Sequence, residues 1–182
     1  LGAAHAFNRI PALGDKKMKR ILLMLNGILL VVQIVLALNA YYEVGADAGY
    51  MSEVSDAVAR EAGFGAYLEY FLISPNNALM VSILIAIKKI ALLFGAKDLY
   101  MVTVMVGVII ANLTCYVTAL VINQIVNNKG LVLATWFLSA FYIGLSLWQL
   151  LPYTDVYSLL IPVTTIYLYL TRNQVKNKYL RW

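Results

Sequence analysis

Residues 21–42 read ILLMLNGILLVVQIVLALNAYY, and no charged residue interrupts the stretch. An α-helix rises 1.5 Å per residue, so about 20 apolar residues are enough to cross the hydrocarbon core of a bilayer. The only polar side chains before the closing tyrosines are Asn26, Gln33 and Asn39. This stretch therefore predicts a transmembrane helix.

The composition of the whole chain supports a membrane protein. Of its 182 residues, 62% are hydrophobic and 13% are charged, and the mean hydropathy is +0.78. A soluble domain of this length cannot bury so much apolar surface, so lipid must be part of the solvent. Because only helices and closed barrels satisfy their backbone in lipid, the expected fold class is all-α, a polytopic transmembrane helix bundle.

The basic residues lie beside the apolar stretches. Four bases fall within residues 16–20, and four more fall within the acid-free tail at 171–182. Lys and Arg flanking a span favour the cytoplasmic side. Both termini are therefore expected in the cytoplasm of a multi-pass cell-membrane protein. The net charge of +5 is explained by this orientation, and nucleic acid is not predicted as a partner.

The N-terminal residues and the single cysteine carry little functional information. Residues 1–17 begin without Met and are rich in small residues, so we expect them to be either residues left from an expression vector or a disordered N-terminus. A single transmembrane domain is predicted at 18–182. Cys115 is the only cysteine. It excludes an intrachain disulfide and a cysteine zinc site, and we expect it to pack between helices.

The parity of the crossings decides the role of one doubtful segment. The apolar segment at 77–95 contains Lys88 and Lys89, and a charge at mid-bilayer is costly. Two cytoplasmic termini require an even number of crossings. We therefore predict a helix at the outer face over 77–95, whose lysines snorkel to the headgroups. The four predicted spans are about 21–42, 100–126, 131–151 and 156–171.

The polar segment at 43–76 is predicted to be an outer loop. It contains six of the nine acidic residues of the chain. Met51, Val54 and Val58 recur at helical spacing, and Asp56 and Arg60 lie four residues apart, as in helical ion pairs. The pattern predicts a short amphipathic helix that lies at the outer interface.

Two acids form the candidate site. Asp47 and Asp155 flank the predicted outer ends of spans, and Gly45 and Gly49 would allow a tight turn around Asp47. The alternatives are an ordinary solvated acid for Asp47 and a helix cap for Asp155. We predict that the two carboxylates approach each other across one outward cavity.

The order of these elements resembles the N-terminal half of the GT-C glycosyltransferases. These are polytopic membrane enzymes that use polyprenyl-phosphate-linked sugars, and the resemblance is to bacterial members related to the protein O-mannosyltransferases. It covers residues 16–182. It rests on short motifs in order: GADAGY at 45–50, EVSDAVA at 53–59, YFLISPNN at 70–77, GAKDL at 95–99 and LPYTD at 151–155.

The resemblance implies transfer of a sugar from a lipid-linked donor to an acceptor at the outer membrane face. Asp47 would act as the catalytic base or orient the acceptor, and Asp155 would lie near the donor phosphate. A carboxylate can take the proton of an acceptor hydroxyl during transfer. A divalent cation bound by Asp47 and Asp155 stays open as a cofactor. The expected substrate-binding residues are Tyr50, Lys88, Lys89 and Tyr153.

Two other functions stay open. A small transport or substrate-binding subunit would bury polar residues between spans to hold a solute. A non-catalytic membrane assembly partner is the other alternative. GT-C members usually continue with more spans, so further spans or a partner subunit are expected beside the bilayer and the lipid-linked sugar donor. The polar residues of the spans, which also suit bonds between helices, are Asn112, Thr114, Thr118, Asn123 and Gln124.

Overall fold

The computed structural model describes residues 14–42, 46–63 and 68–172, apart from the side chains of 46, 68 and 70. Within these ranges all regular secondary structure is helical. The predicted all-α class is therefore confirmed. The α-helices are α1 (Asp15–Ala40), α2 (Ala46–Ala59), α3 (Leu68–Ile73), α4 (Ala78–Leu93), α5 (Leu99–Ile125), α6 (Lys129–Ser139), α7 (Thr154–Ser158) and α8 (Leu160–Thr171).

Three stretches among the described residues are long and apolar enough to cross a membrane. They are Asp15–Ala40, Pro75–Leu93 and Leu99–Ile125. Large apolar side chains of α1, such as Leu23 and Val31, are each 62% exposed. Exposed apolar area is unfavourable in water, at about 25 cal/mol per Å². Lipid removes that cost, so these surfaces fit a protein embedded in a bilayer.

The helix predicted at 131–151 ends earlier than expected. After α6, residues Ala140–Gly144 form a π-helical turn and Leu147–Leu150 form a 3₁₀-helix. The amide of Leu145 donates to the carbonyl of Ala140, and Gln33 donates to the carbonyl of Gly144 at 2.9 Å. A side chain that bonds a helix carbonyl is a recognised cause of such a break. The continuous apolar helix covers Lys129–Gly144.

The segment predicted as a span at 156–171 is also divided. Helix α7 ends at Ser158 and α8 begins at Leu160. Pro162 lacks the N–H that would bond the carbonyl of Ser158 in a continuous helix. The proline therefore explains the break, which the apolar pattern alone does not reveal.

The chain forms two compact units, where the sequence predicts a single domain. Unit A comprises the described parts of Leu1–Gln33, Ile109–Ser146 and Ser158–Trp182. Unit B comprises the described parts of Ile34–Val108 and Leu147–Tyr157.

Unit A contains a buried network of polar side chains. Asn26 and Asn112 bond each other through their side-chain amides. Asn112 also donates to Gln33 at 2.8 Å and to the carbonyl of Asn26 at 3.1 Å. Trp136 donates to Asn26 at 3.1 Å. These contacts connect α1, α5 and α6, so at least Asn112 serves bonds between helices.

Apolar packing surrounds this network. Leu22, Leu29 and Trp136 belong to one buried cluster with Cys115, whose thiol donates to the carbonyl of Ser139 at 3.3 Å. The packing role predicted for Cys115 is therefore confirmed. At one end of the unit, Lys129 donates to Asp15 at 2.5 Å and to Asn123 at 2.8 Å. These contacts join the first residue of α1 and the last turn of α5 to the first residue of α6.

Unit B is built on contacts between α2 and α4. Met51 and Val54 of α2 form a buried cluster with residues of α4, namely Met80, Val81 and Leu84. The helix predicted from the spacing of Met51 and Val54 is present. Its apolar face packs against α4, and its position at the outer membrane interface stays a prediction.

The ends of two helices meet in unit B. Tyr100 donates to the carbonyl of Tyr42 at 2.8 Å, and Tyr41 donates to Asp98 at 3.3 Å. Asp98 also accepts from the amide of Met101 at 2.8 Å, which caps the first turn of α5. The end of α1 therefore lies beside the beginning of α5.

Candidate functional site

A polar cavity of about 480 Å³ lies on one face of α2. Lining residues of α2 recur three and four positions apart, as expected for one helix face. Residues of the turn before α5 line the opposite side of the cavity. Gly95 has a φ of 76°, a left-handed conformation that ends α4 and directs the chain into this turn. The lining residues are Gly49, Ser52, Glu53, Asp56, Ala57, Arg60, Lys97, Asp98, Leu99 and Tyr100.

Asp56, an acid that lines this cavity, forms ion pairs with two basic side chains. Its Oδ2 lies 3.0 Å from Nε of Arg60, and its Oδ1 lies 3.5 Å from Nζ of Lys88. The predicted i,i+4 pair of Asp56 and Arg60 is therefore confirmed. Two cations therefore hold one carboxylate, Arg60 from the residue after α2 and Lys88 from α4.

Lys88 does not reach the lipid headgroups. Its side chain is fully buried, at 0% exposure, and its ammonium donates to the carbonyl of Ser52 at 2.7 Å and to Oγ of Ser52 at 3.3 Å. The prediction that Lys88 snorkels is wrong, because α2 supplies polar partners that the α4 sequence does not reveal. Lys89 is exposed.

The two predicted catalytic acids lie near helix N-termini of unit B. Asp47 is in the first turn of α2 and Asp155 is in the first turn of α7, and both are exposed. The prediction of a tight loop around Asp47 is wrong, since Asp47 and Gly49 are helical. Gly45 lies outside the described residues.

Tyr153 supplies a link between the two acidic segments. It packs, partly buried, against the cluster that contains Met51 and Val54 of α2. The segment that leads into α7 and the helix that carries Asp47 therefore contact one cluster. Tyr50 is 47% exposed. The approach of Asp47 to Asp155 across one cavity stays a prediction.

Sequence reasoning missed the cavity residues Glu53, Lys97 and Asp98. Glu53 is in the quoted motif of α2, and Lys97 and Asp98 are in the GAKDL motif at 95–99. The presence of charged residues in both motifs was a usable signal. Their meeting depends on the packing of α2 and α4, which no local pattern specifies.

The divalent cation that the sequence leaves open would be bound by Asp47 and Asp155. Among the described residues, no group of three or more His, Cys, Asp or Glu side chains is placed to hold a metal ion. Mg²⁺ takes one or two carboxylates from a protein and completes its coordination with water and substrate phosphates, so a cation bound by Asp47 and Asp155 stays a prediction.

The helices, their exposed apolar surfaces and the buried polar contacts between them define a polytopic helical membrane protein. Residues 5–182 match a family model described as a conserved hypothetical integral membrane protein, and the chain belongs to this family. Neither a curated protein nor a solved structure matches the chain.

Proposed function

We propose that the protein is a membrane glycosyltransferase, which transfers a sugar from a polyprenyl-phosphate-linked donor to an acceptor at the outer membrane face. The observation that supports the proposal most is the cavity of unit B. Acids and bases line one space there, in a chain of which only 13% is charged. Such a transfer needs a carboxylate for the acceptor and cations for the departing phosphate.

The chemistry divides between the two kinds of side chain. A carboxylate takes the proton of the acceptor hydroxyl while the acceptor oxygen bonds the sugar carbon. The bond from that carbon to the phosphate oxygen breaks, and the polyprenyl phosphate leaves with its negative charge. Arg60 and Lys97 line the cavity and would stabilise that charge.

Three carboxylates are candidates for the base. Asp47 and Asp155 are the residues that the GT-C resemblance assigns. Glu53 is the candidate that lines the cavity itself. Lys89, Tyr50 and Tyr153 stay as proposed substrate-binding residues around this surface.

The direct test measures polyprenyl phosphate released from a labelled polyprenyl-phosphate sugar. The full chain in nanodiscs would be supplied with membrane lipids and peptides as acceptors. We expect Asp47→Asn, Asp155→Asn or Glu53→Gln to reduce release by about 10²-fold or more, as loss of an acid–base group does. Glu69→Gln is the matched control, because Glu69 is an exposed acid of α3.

Two results would contradict the proposal. One is that the wild-type protein releases no polyprenyl phosphate from any such donor. The other is that release continues at the wild-type rate in all three carboxylate variants.

A further inference from the structure

A buried lysine needs a compensating charge, because an unpaired ion away from water is strongly unfavourable. Lys88 enters from α4 and has 0% exposure. Its ammonium reaches Asp56 at 3.5 Å. Arg60 reaches the same carboxylate with a side chain that is 47% exposed. One acid thus has a buried cation and an exposed one, and the group of three carries a net positive charge.

We propose that the cavity binds a phosphate group through Arg60 and Lys97, and that Lys88 is the permanent counter-ion of Asp56 that makes Arg60 available. The inference rests on the proposed function, in which the donor carries a phosphate. It adds a positioning role for Lys88, which acts on the ligand through Asp56 and Arg60.

The geometry of Arg60 suits this role. A guanidinium has five N–H donors in a planar fork that matches phosphate oxygens. Arg60 donates a hydrogen bond from Nε to the carboxylate of Asp56 and another from Nη2 to the carbonyl of Lys97, at 3.3 Å. The second bond holds Arg60 beside Lys97. The side chain of Lys97 is exposed, and no ion pair within the described residues involves its ammonium.

Lys88 removes the competition that Asp56 would otherwise offer. A phosphate must draw Arg60 away from Asp56, and a bare carboxylate would both retain Arg60 and repel the phosphate. Lys88 keeps Asp56 compensated throughout, because two bonds to Ser52 fix its ammonium in place. The arrangement separates a structural cation from a ligand-binding cation.

The test is phosphate affinity in the full chain, embedded in nanodiscs, measured by titration calorimetry. One arm uses inorganic pyrophosphate in solution and the other uses a long-chain prenyl monophosphate in the bilayer. Binding in both arms means that phosphate itself is recognised, and binding only of the prenyl phosphate means that the lipid is the source. Either result supports the site.

The decisive variants form a suppressor pair. We expect Lys88→Met to weaken binding by about tenfold, the equivalent of 1.4 kcal/mol. Lys88→Met combined with Asp56→Asn should restore the affinity to within about threefold, because Arg60 is then released. If Lys88 acted only on stability, Lys88→Met would lower the free energy of unfolding and leave the phosphate affinity of the folded protein unchanged. Lys17→Met is the matched control, since Lys17 is exposed in α1.

Four outcomes would overturn the inference. The first is wild-type affinity in Lys88→Met, and the second is failure of Asp56→Asn to rescue it. If Lys88→Met does not fold, Asp56→Asn alone is tested, and it must bind phosphate more tightly than the wild type. Weaker binding by Asp56→Asn is the third overturning outcome. A wild type that binds neither probe would refute the phosphate site, whereas binding without sugar transfer would refute only the proposed enzyme activity.

Discussion

Replacing Asn112 by Leu tests whether the polar network stabilises unit A. The substitution removes three side-chain hydrogen bonds, two to Asn26 and one to Gln33. A side-chain bond between helices contributes about 0.6 kcal/mol on average in a membrane, so the three together give about 2 kcal/mol. We expect Asn112→Leu to lower the free energy of unfolding by that amount.

The assay is reversible unfolding in bicelles, in which steric trapping measures the free energy of unfolding. Asn39→Leu is the matched control, because Asn39 is exposed and its side-chain amide donates to the carbonyl of Val35 in its own helix, at 2.8 Å. The control should change the free energy of unfolding by less than about 0.5 kcal/mol. Equal values for the two variants, or a more stable Asn112→Leu, would refute the stabilising role.

Two further predictions concern close packing and topology. Gly144→Ala should lower the free energy of unfolding by about 1 kcal/mol in the same assay, because its Cβ would lie 3.0 Å from a methyl group of Leu29. A Cβ at Gly27 would meet no atom within 4 Å, so Gly27→Ala should raise the free energy of unfolding by about 0.5 to 1 kcal/mol. A Gly144→Ala variant more stable than Gly27→Ala would contradict the close packing at Gly144. In a Cys115-free background, Lys97→Cys and Asp155→Cys should react with an impermeant thiol reagent in intact cells. Reaction only after permeabilisation would favour a fifth span.

The fold class was predictable because long apolar runs have few alternatives in lipid. The apolar run at 21–42 corresponds to α1, and the run at 100–126 corresponds to α5. The end of α6 and the break before α8 were harder to predict from the sequence. They depend on a distant glutamine, Gln33, and on one proline, Pro162, rather than on hydropathy.

The candidate site was predictable only where its contacts are local. The pair of Asp56 and Arg60 follows from their spacing on one helix. The burial of Lys88 was not predicted, since hydropathy registers a charge in an apolar helix but not the partner that compensates it. That partner, Asp56, lies on another helix, and only the packing of α2 against α4 brings the two together.

The contact between Tyr42 and Tyr100 has a consequence for how the chain can vary. The residues between them, among them α2 and α4, begin and end at nearly the same point in space, as an inserted domain does. A segment attached in this way can be lengthened, shortened or exchanged for a short linker while the helices on either side keep their directions. Most of the residues that line the polar cavity lie within this segment, so variation of the segment would change the cavity first.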